Sequence, residues 1–470
     1  MSIFKMHLRV SIRGHRYMKF SKLVTAIAVI SLSAMSGITH AKVDETTAKR
    51  LKNDLTPVGA ERFGNSEGTI PAWDGGIKEI PSNYKKGEFN PDPYASDKML
   101  FEITKDNMKK YEKNLTEGQK ALLSQYAPGY VLPVYPTHRS ASYPDWIYEK
   151  LYENALSAEL QENANGVSNT IATSPFPIPK SGVEAIWNHI LRFRGEQSEF
   201  RTAFVTPTKD GSYTPVLTNY GYYMTYAEPG VTLEEIDNKI FYLKTKVISP
   251  AKLAGSLTLV HETLDQVQSP RKAWRYQAGE RRLRRVPNLA YSTDLPTSES
   301  LRTVDQKDMY NGAPNQYLWD LQGKKEIYIP YNSYKLNLAS TKAENIISPK
   351  HINQEQTRYE LHRVWAVEGV LREGIKHIYH KRRFYFDEDT WQIVLTEDYD
   401  KDGKLWRVSE AHTMNYYQVP VTWNALEVTY DLKSQRYYAD GVDKHAPRDF
   451  EPKFKRRAFT TSAARREAKR

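Results

Sequence analysis

From about Thr202 onward, apolar and polar residues alternate with a period of two. "IFYLKTKVI" (240–248), "SLTLVHETL" (256–264), "AWRYQ" (273–277), "EIYIPY" (326–331) and "TRYELHRVWAV" (357–367) all carry the pattern. So do "IKHIYHKRRFYFD" (375–387), "TWQIVLTEDYD" (390–400), "KLWRVSEAHTM" (404–414) and "ALEVTYDL" (425–432). Each reads as a strand. "DEDT" at 387–390 and "DKDG" at 400–403 join neighbours as hairpins. Long strands at short spacing, with no strand–helix alternation, predict an antiparallel meander and exclude a doubly wound parallel sheet.

Upstream the period lengthens. "DKMLFEITKDNMKKYEKNL" sets Leu100, Ile103, Met108, Tyr111 and Leu115 near one helical face, and Thr116 with Gln119 has capping-box spacing. "PDWIYEKLYENALSAEL" begins with Pro144 at a first helical turn. Ser181 and Glu184 form a second capping box, opening a helix with Val183, Ile186, Trp187 and Ile190 on one face. Between these, 162–180 ends in "SPFPIPK", whose three prolines forbid a helix. Residues 42–95, rich in Pro, Gly and Asn, read as an extended, docked segment. The fold class predicted is α+β: a large curled antiparallel sheet, an unclosed barrel, covered by N-terminal helices. Residues 96–200 are the helical lid, 201–451 the sheet that forms one unit with it, and 452–470 a basic, disordered tail.

Composition changes this picture in three places. Met18–Lys22 is basic and is followed by "LVTAIAVISLSAMSGI" and then Ala41, the pattern of a secretory signal peptide at 1–41. The expectation is export to the periplasm with cleavage after Ala41; whether translation starts at Met1 or Met18 is open. With no Cys there is no disulfide framework, no thiolate metal site and no acceptor for a lipid anchor. The formal charge of +11 dissolves on partition. The leader holds six basic and no acidic residues, the tail eight and one, and the body 53 and 55. Nucleic acid is therefore not an expected partner. The rings are abundant, with 32 Tyr, 15 Phe and 9 Trp, enough both to fill a core and to line a hollow.

Candidate chemistry is sparse. Gly64–Gly68 spells G-x-S-x-G around Ser66. A working nucleophile elbow needs a strand before the serine and a helix after it, whereas Pro71 and β-branched neighbours follow here. Ser66 reads as a turn residue, and no catalytic residue is expected. His377 and His380 on a strand would face opposite ways, and His362 and His412 show no carboxylate or histidine at ligand spacing, so neither metal nor cofactor is expected. The acids of 387–389 and 400–402 read as turn chemistry. Arg281, Arg282, Arg284 and Arg285 form a basic strip, either a solvated strand end or a rim for anionic head groups or an acidic partner. The apolar stripes, Ile186, Trp187, Ile190, Leu257, Leu259, Trp274, Phe384, Phe386, Trp391, Ile393 and Leu395, read either as core or as the lining of a cavity beneath the lid.

Several long motifs carry a resemblance. They are "LTPVGAERFGNSEGTIPAWDGG", "PFPIPKSGVEAIWNHILRFRG", "RKAWRYQAGERRLRRVP", "NGAPNQYLWDLQGKKEIYIPYNSYKL" and "LHRVWAVEGVLREG…FDEDTWQIV". The chain resembles a proteobacterial periplasmic family, a domain of unknown function whose members are often labelled outer-membrane lipoprotein-sorting proteins. The resemblance implies a fold like that of the Lol lipoprotein carriers (LolA and LolB), an unclosed barrel around a hydrophobic cavity. It implies a hydrophobic ligand or lipidated protein as partner, with an inner-membrane exporter of the resistance-nodulation-division type and an outer-membrane protein as further partners. It assigns no catalytic residue. Passive transfer of the ligand to the outer membrane is the expected role. An adaptor of the exporter without a ligand, or a hydrolase using Ser66, are the rivals.

Overall fold

The computed structural model describes residues 42–161, 164–266, 268–286, 291–295 and 298–469. Residues 1–41, read from the sequence as a signal peptide, lie outside them. Among the described residues no helix is long and apolar enough to cross a membrane.

Most of the described strands form one sheet, built chiefly from two meanders. The first holds β5 (Gln197–Val205), β6 (Val216–Tyr223), β7 (Lys239–Ser249), β8 (Leu257–Thr263), β9 (Lys272–Gln277) and β10 (Arg282–Arg285). The second holds β11 (Tyr317–Pro330), β12 (Tyr359–Leu371), β13 (Lys381–Asp387), β14 (Ile393–Tyr399), β15 (Leu405–Tyr416), β16 (Val421–Asp431) and β17 (Arg436–Val442). Sequential neighbours pair antiparallel, as hairpin connections require. Both acidic turns, 387–390 and 400–403, connect strands as read. The meanders fuse where β17 pairs with β5, Ala439 opposite Val205 and Asp440 opposite Phe204. Two short strands, β1 (Phe101–Ile103) and β2 (Leu132–Val134), extend the sheet beyond β12. A separate two-stranded ribbon pairs β3 (Glu159–Leu160) with β4 (Val167–Ser168). The order runs from β1 at one end to β10 at the other without closing. The α+β reading with an unclosed antiparallel sheet is what the structure shows.

The helices are α1 (Glu45–Lys49), α2 (Glu117–Gln125), α3 (Asp145–Ser157), α4 (Gly182–Leu191), α5 (Leu233–Ile236), α6 (Ala343–Ile346) and α7 (Thr461–Ala468). Thr116 caps α2 reciprocally with Gln119, and α3 follows Pro144, as their sequences require. The long helix expected over 97–115 is absent. Asn107 accepts from the Thr104 amide at 2.8 Å and donates to the Glu102 carbonyl at 2.8 Å. That local side-chain competition breaks the helix into β1 and a short 3-10 turn at Met108–Asn114. The tail is also ordered, not disordered. Its α7 and Phe459 pack on the sheet, Phe459 and Ala464 fully buried, because the strands beneath present Leu257, Leu259 and Tyr276.

Burial differs between the halves. β14 is buried at every residue and β15 to β17 nearly so, with covering layers on both faces. The extended N-terminal segment supplies part of this cover: Trp391 Nε1 donates to the Val58 carbonyl at 2.9 Å, and Gly59, at φ +89°, lies so close to Pro177 that a side chain would collide with it. β7 is only partly covered along most of its length. The space this leaves is where the candidate site lies.

Candidate functional site

On the face of β5 to β9 that α4 shares, side chains of one parity surround a cavity of about 260 Å³. Thr218, Tyr220 and Tyr222 come from β6, Phe241, Leu243, Thr245 and Val247 from β7, and Thr258, Val260 and Glu262 from β8. Phe204 of β5, Tyr438 of β17 and Ile190 of α4 complete the sheet side. The roof is irregular chain, including Leu295, Val304, Lys307, Asp308 and Tyr310. Its size approaches the lower end of small-molecule pockets, about 300–1,000 Å³, and its walls are mostly rings and branched aliphatics.

The charges in the walls are largely matched. Asp308 holds Arg192 at 2.7 Å and also Arg194. Burial alone would raise its carboxyl, but the two guanidinium groups hold it well below the usual range. Lys307 meets Asp440 at 2.8 Å; burial opposes its charge, and Asp440 more than restores it. Glu262 pairs with Arg271, and the buried Arg302 with Glu427. His189, beside Asp308, is neutral: burial, with Arg192 adding to it, pushes its pKa down to about 3. With most of its ions neutralised in pairs, Arg275 being the exception among the described residues, the hollow is suited to hydrocarbon.

Of the stripe residues read from the sequence, Ile190 alone lines this cavity. Ile186, Trp187, Phe384, Phe386, Trp391 and Ile393 pack against one another as solid core between α4 and the second meander. Leu395 belongs to a third cluster with Tyr385 and Ile327. Leu257, Leu259 and Trp274 face the opposite side of the sheet, under α7. The reason is parity: the more apolar register of β8 is consumed by close packing, and the mixed register, Thr258, Val260 and Glu262, faces the hollow. Arg282, Arg284 and Arg285 stand on edge strand β10 with Arg281 in the turn before it, all outside the cavity lining, and Arg284 pairs with Glu280 at 2.9 Å.

The other sequence candidates resolve as follows. Ser66 is exposed in a turn closed by the Gly68 amide donating to the Asn65 carbonyl at 3.1 Å. His377 and His380 precede β13 instead of lying on it, and the buried His377 turns inward to Asp305 at 3.1 Å. His362 and His412 do have carboxylate neighbours. Glu360 and Glu410, two positions back and therefore on the same strand face, stand 3.1 Å and 3.8 Å away. Asp387 and Asp389 stand at the turn as read, but they are buried there, and with His362 their ligand atoms gather within 4.8 Å. Asp389 is taken on both oxygens by Arg139, at 2.9 and 2.7 Å, and Asp387 accepts from Thr390 Oγ1 at 2.7 Å. Arg363 and Lys324 meet Glu388 at 3.2 and 2.9 Å. This is an ion-pair hub that docks the N-terminal segment, with Arg363 also donating to the Phe63 carbonyl at 2.9 Å. Cations meet Asp389 and Glu388, whereas the Asp387 carboxylate accepts only from the Thr390 and Tyr331 hydroxyls and the Asp389 amide among the described residues.

Residues 102–465 match the family described as a protein of unknown function, DUF1329. An uncharacterized protein of Pseudomonas aeruginosa, PA3922, is 44% identical over 455 residues, 96% of this chain and 100% of its own. Among solved structures, a domain from Vibrio parahaemolyticus bearing the name outer membrane lipoprotein-sorting protein has a TM-score of 0.40 at 11% identity, covering 57% of this chain and 91% of that one. A LolA superfamily protein of Nitrosomonas europaea, NE2245, has a TM-score of 0.35 at 13% identity, covering 60% and 98%.

Proposed function

The chain belongs to the DUF1329 family, and from that premise we propose that it is a non-catalytic carrier of a hydrophobic ligand, a lipid or the acyl group of a lipidated protein. The observation that carries the reading is the hollow of about 260 Å³ between β5–β9 and the roof segment, kept open beside the solid core between α4 and the second meander. Each methylene moved from water into such a space contributes about 0.8 kcal/mol, so a short hydrocarbon segment binds without directional contacts. Ile190 and the roof residues Leu295 and Val304 act as the lid. The role places the protein in the periplasm, delivering its cargo to the outer membrane. Native mass spectrometry of the protein purified from its own cells tests this: a co-purifying lipid or acyl chain is expected. Recovery of ligand-free protein that also fails to take up a fluorescent fatty acid would overturn it.

A second reading is favoured by one observation. Edge strand β10 leaves Arg282, Arg284 and Arg285 exposed beside an unpaired sheet edge, a cationic surface for an acidic partner such as an exporter subunit or an outer-membrane protein. Capture of such a partner that persists after Arg282, Arg284 and Arg285 are changed to Ser would remove this surface from the reading.

A further inference from the structure

The cavity has a smaller neighbour of different character. A second pocket of about 50 Å³ shares Tyr222, Lys307, Asp308 and Asp440 with it, so these four side chains stand between the two chambers. Water needs about 10–15 Å³ per molecule on this measure, so the space admits a group of a few oxygen atoms. Its far wall carries Lys444 and Arg448, together with Phe200, Tyr416 and Trp423.

Arg201 and Arg275, which also line the chambers, are in no ion pair among the described residues either, but Lys444 and Arg448 differ from the lining acids and from the cations those acids hold. Asp308, Asp440 and Glu427, the acids that line the small pocket, are committed to Arg192 and Arg194, to Lys307, and to Arg302. Among the described residues no carboxylate lies within ion-pair distance of Lys444 or Arg448. Lys444 Nζ reaches only carbonyl oxygens, Leu336 at 3.0 Å and Gly441. The Arg448 guanidinium lies over Phe200 at 3.6 Å and Trp423 at 4.1 Å from the ring centres, and its buried Nη1 has no hydrogen-bond partner among the described residues. Burial, with Arg448 adding to it, pulls the Lys444 pKa down to about 7. Two half-buried cations are thus held by rings and carbonyls, one with a vacant donor, an arrangement whose unmet need is an anion.

We propose that this pocket receives the anionic head group, a carboxylate or phosphate, of an amphiphile whose hydrocarbon occupies the larger cavity, with Lys444 and Arg448 as its counter-charges. The inference rests on the carrier reading and specifies its ligand class. Hydrocarbon alone is recognised by area, whereas a paired head group orients the chain and selects anionic amphiphiles over neutral ones of the same length.

Calorimetric titration of the delipidated full chain with decanoate, decyl phosphate, decanol and inorganic phosphate tests this. The unmodified protein is expected to bind the two decyl anions at least tenfold tighter than decanol, and inorganic phosphate far more weakly than decyl phosphate. Lys444→Gln with Arg448→Gln should bring the anions to the level of decanol and leave decanol unchanged. Equal binding of decanoate and decanol by the unmodified protein overturns the head-group site while sparing the carrier, and needs no variant to fold. Retention of the anion preference in the double variant also overturns it. Inorganic phosphate binding as tightly as decyl phosphate would make this a free-anion site and refute the amphiphile. Failure of every decyl compound to bind refutes the carrier reading itself.

Discussion

Val260 sits in the middle of β8, paired with Ala273 of β9 and Leu243 of β7, and its side chain lines the large cavity. Val260→Phe adds four carbon atoms into that space. If each displaces one methylene of ligand worth about 0.8 kcal/mol, the variant loses about 3 kcal/mol of binding, close to a 200-fold weaker Kd. The empty protein should move the other way. The added ring covers apolar wall that the empty protein leaves to solvent. The ligand-free variant should therefore unfold at the same or higher denaturant concentration than its parent. The assay is displacement of a fluorescent fatty acid, paired with urea unfolding of delipidated protein. Unchanged affinity in Val260→Phe would place hydrocarbon binding elsewhere. A variant destabilised by several kcal/mol would show that the space is already filled, and the reasoning would fall with it.

Three other outcomes follow from the packing. Arg139→Met should cost about 3–5 kcal/mol in urea unfolding, because it strands Asp389, fully buried and held by two hydrogen bonds from that guanidinium. Phe459→Ala should cost about 3–5 kcal/mol by the same measurement and release α7 from the sheet, read as new protease cleavage after residue 452. Glu410 is fully buried and accepts from Tyr130 at 3.0 Å and Tyr359 at 3.1 Å. Burial raises its pKa from 4.5 to about 7. The native state therefore holds a proton that the unfolded chain releases, so this contribution is complete below pH 4.5 and is lost as pH rises toward 7. It amounts to up to about 3 kcal/mol. In Glu410→Gln the unfolding free energy should decline less over that interval, and an unchanged slope would deny the shift.

The period-two pattern by itself determined the sheet. Alternation over 240–248, 256–264 and 404–414 demands strands, and acidic turns at 387–390 and 400–403 demand hairpins, since both rest on local geometry. Helix starts at Thr116 and Pro144 were equally local. Tertiary structure decided the rest. A strand pattern defines two faces but not which is packed solid, and here both are covered: one register of β8 under α7, the other over the hollow. The joining of β17 to β5 is a contact between distant segments that neither strand announces. The hub at Asp389 was hidden for the same reason, because its counter-ion, Arg139, lies 250 residues away. A buried charge is meaningful only with its partner, and spacing along the chain does not reveal that partner. Nothing in the sequence singles out Lys444 and Arg448; only the folded chain surrounds them with rings and carbonyls and, among the described residues, leaves them without an ion pair.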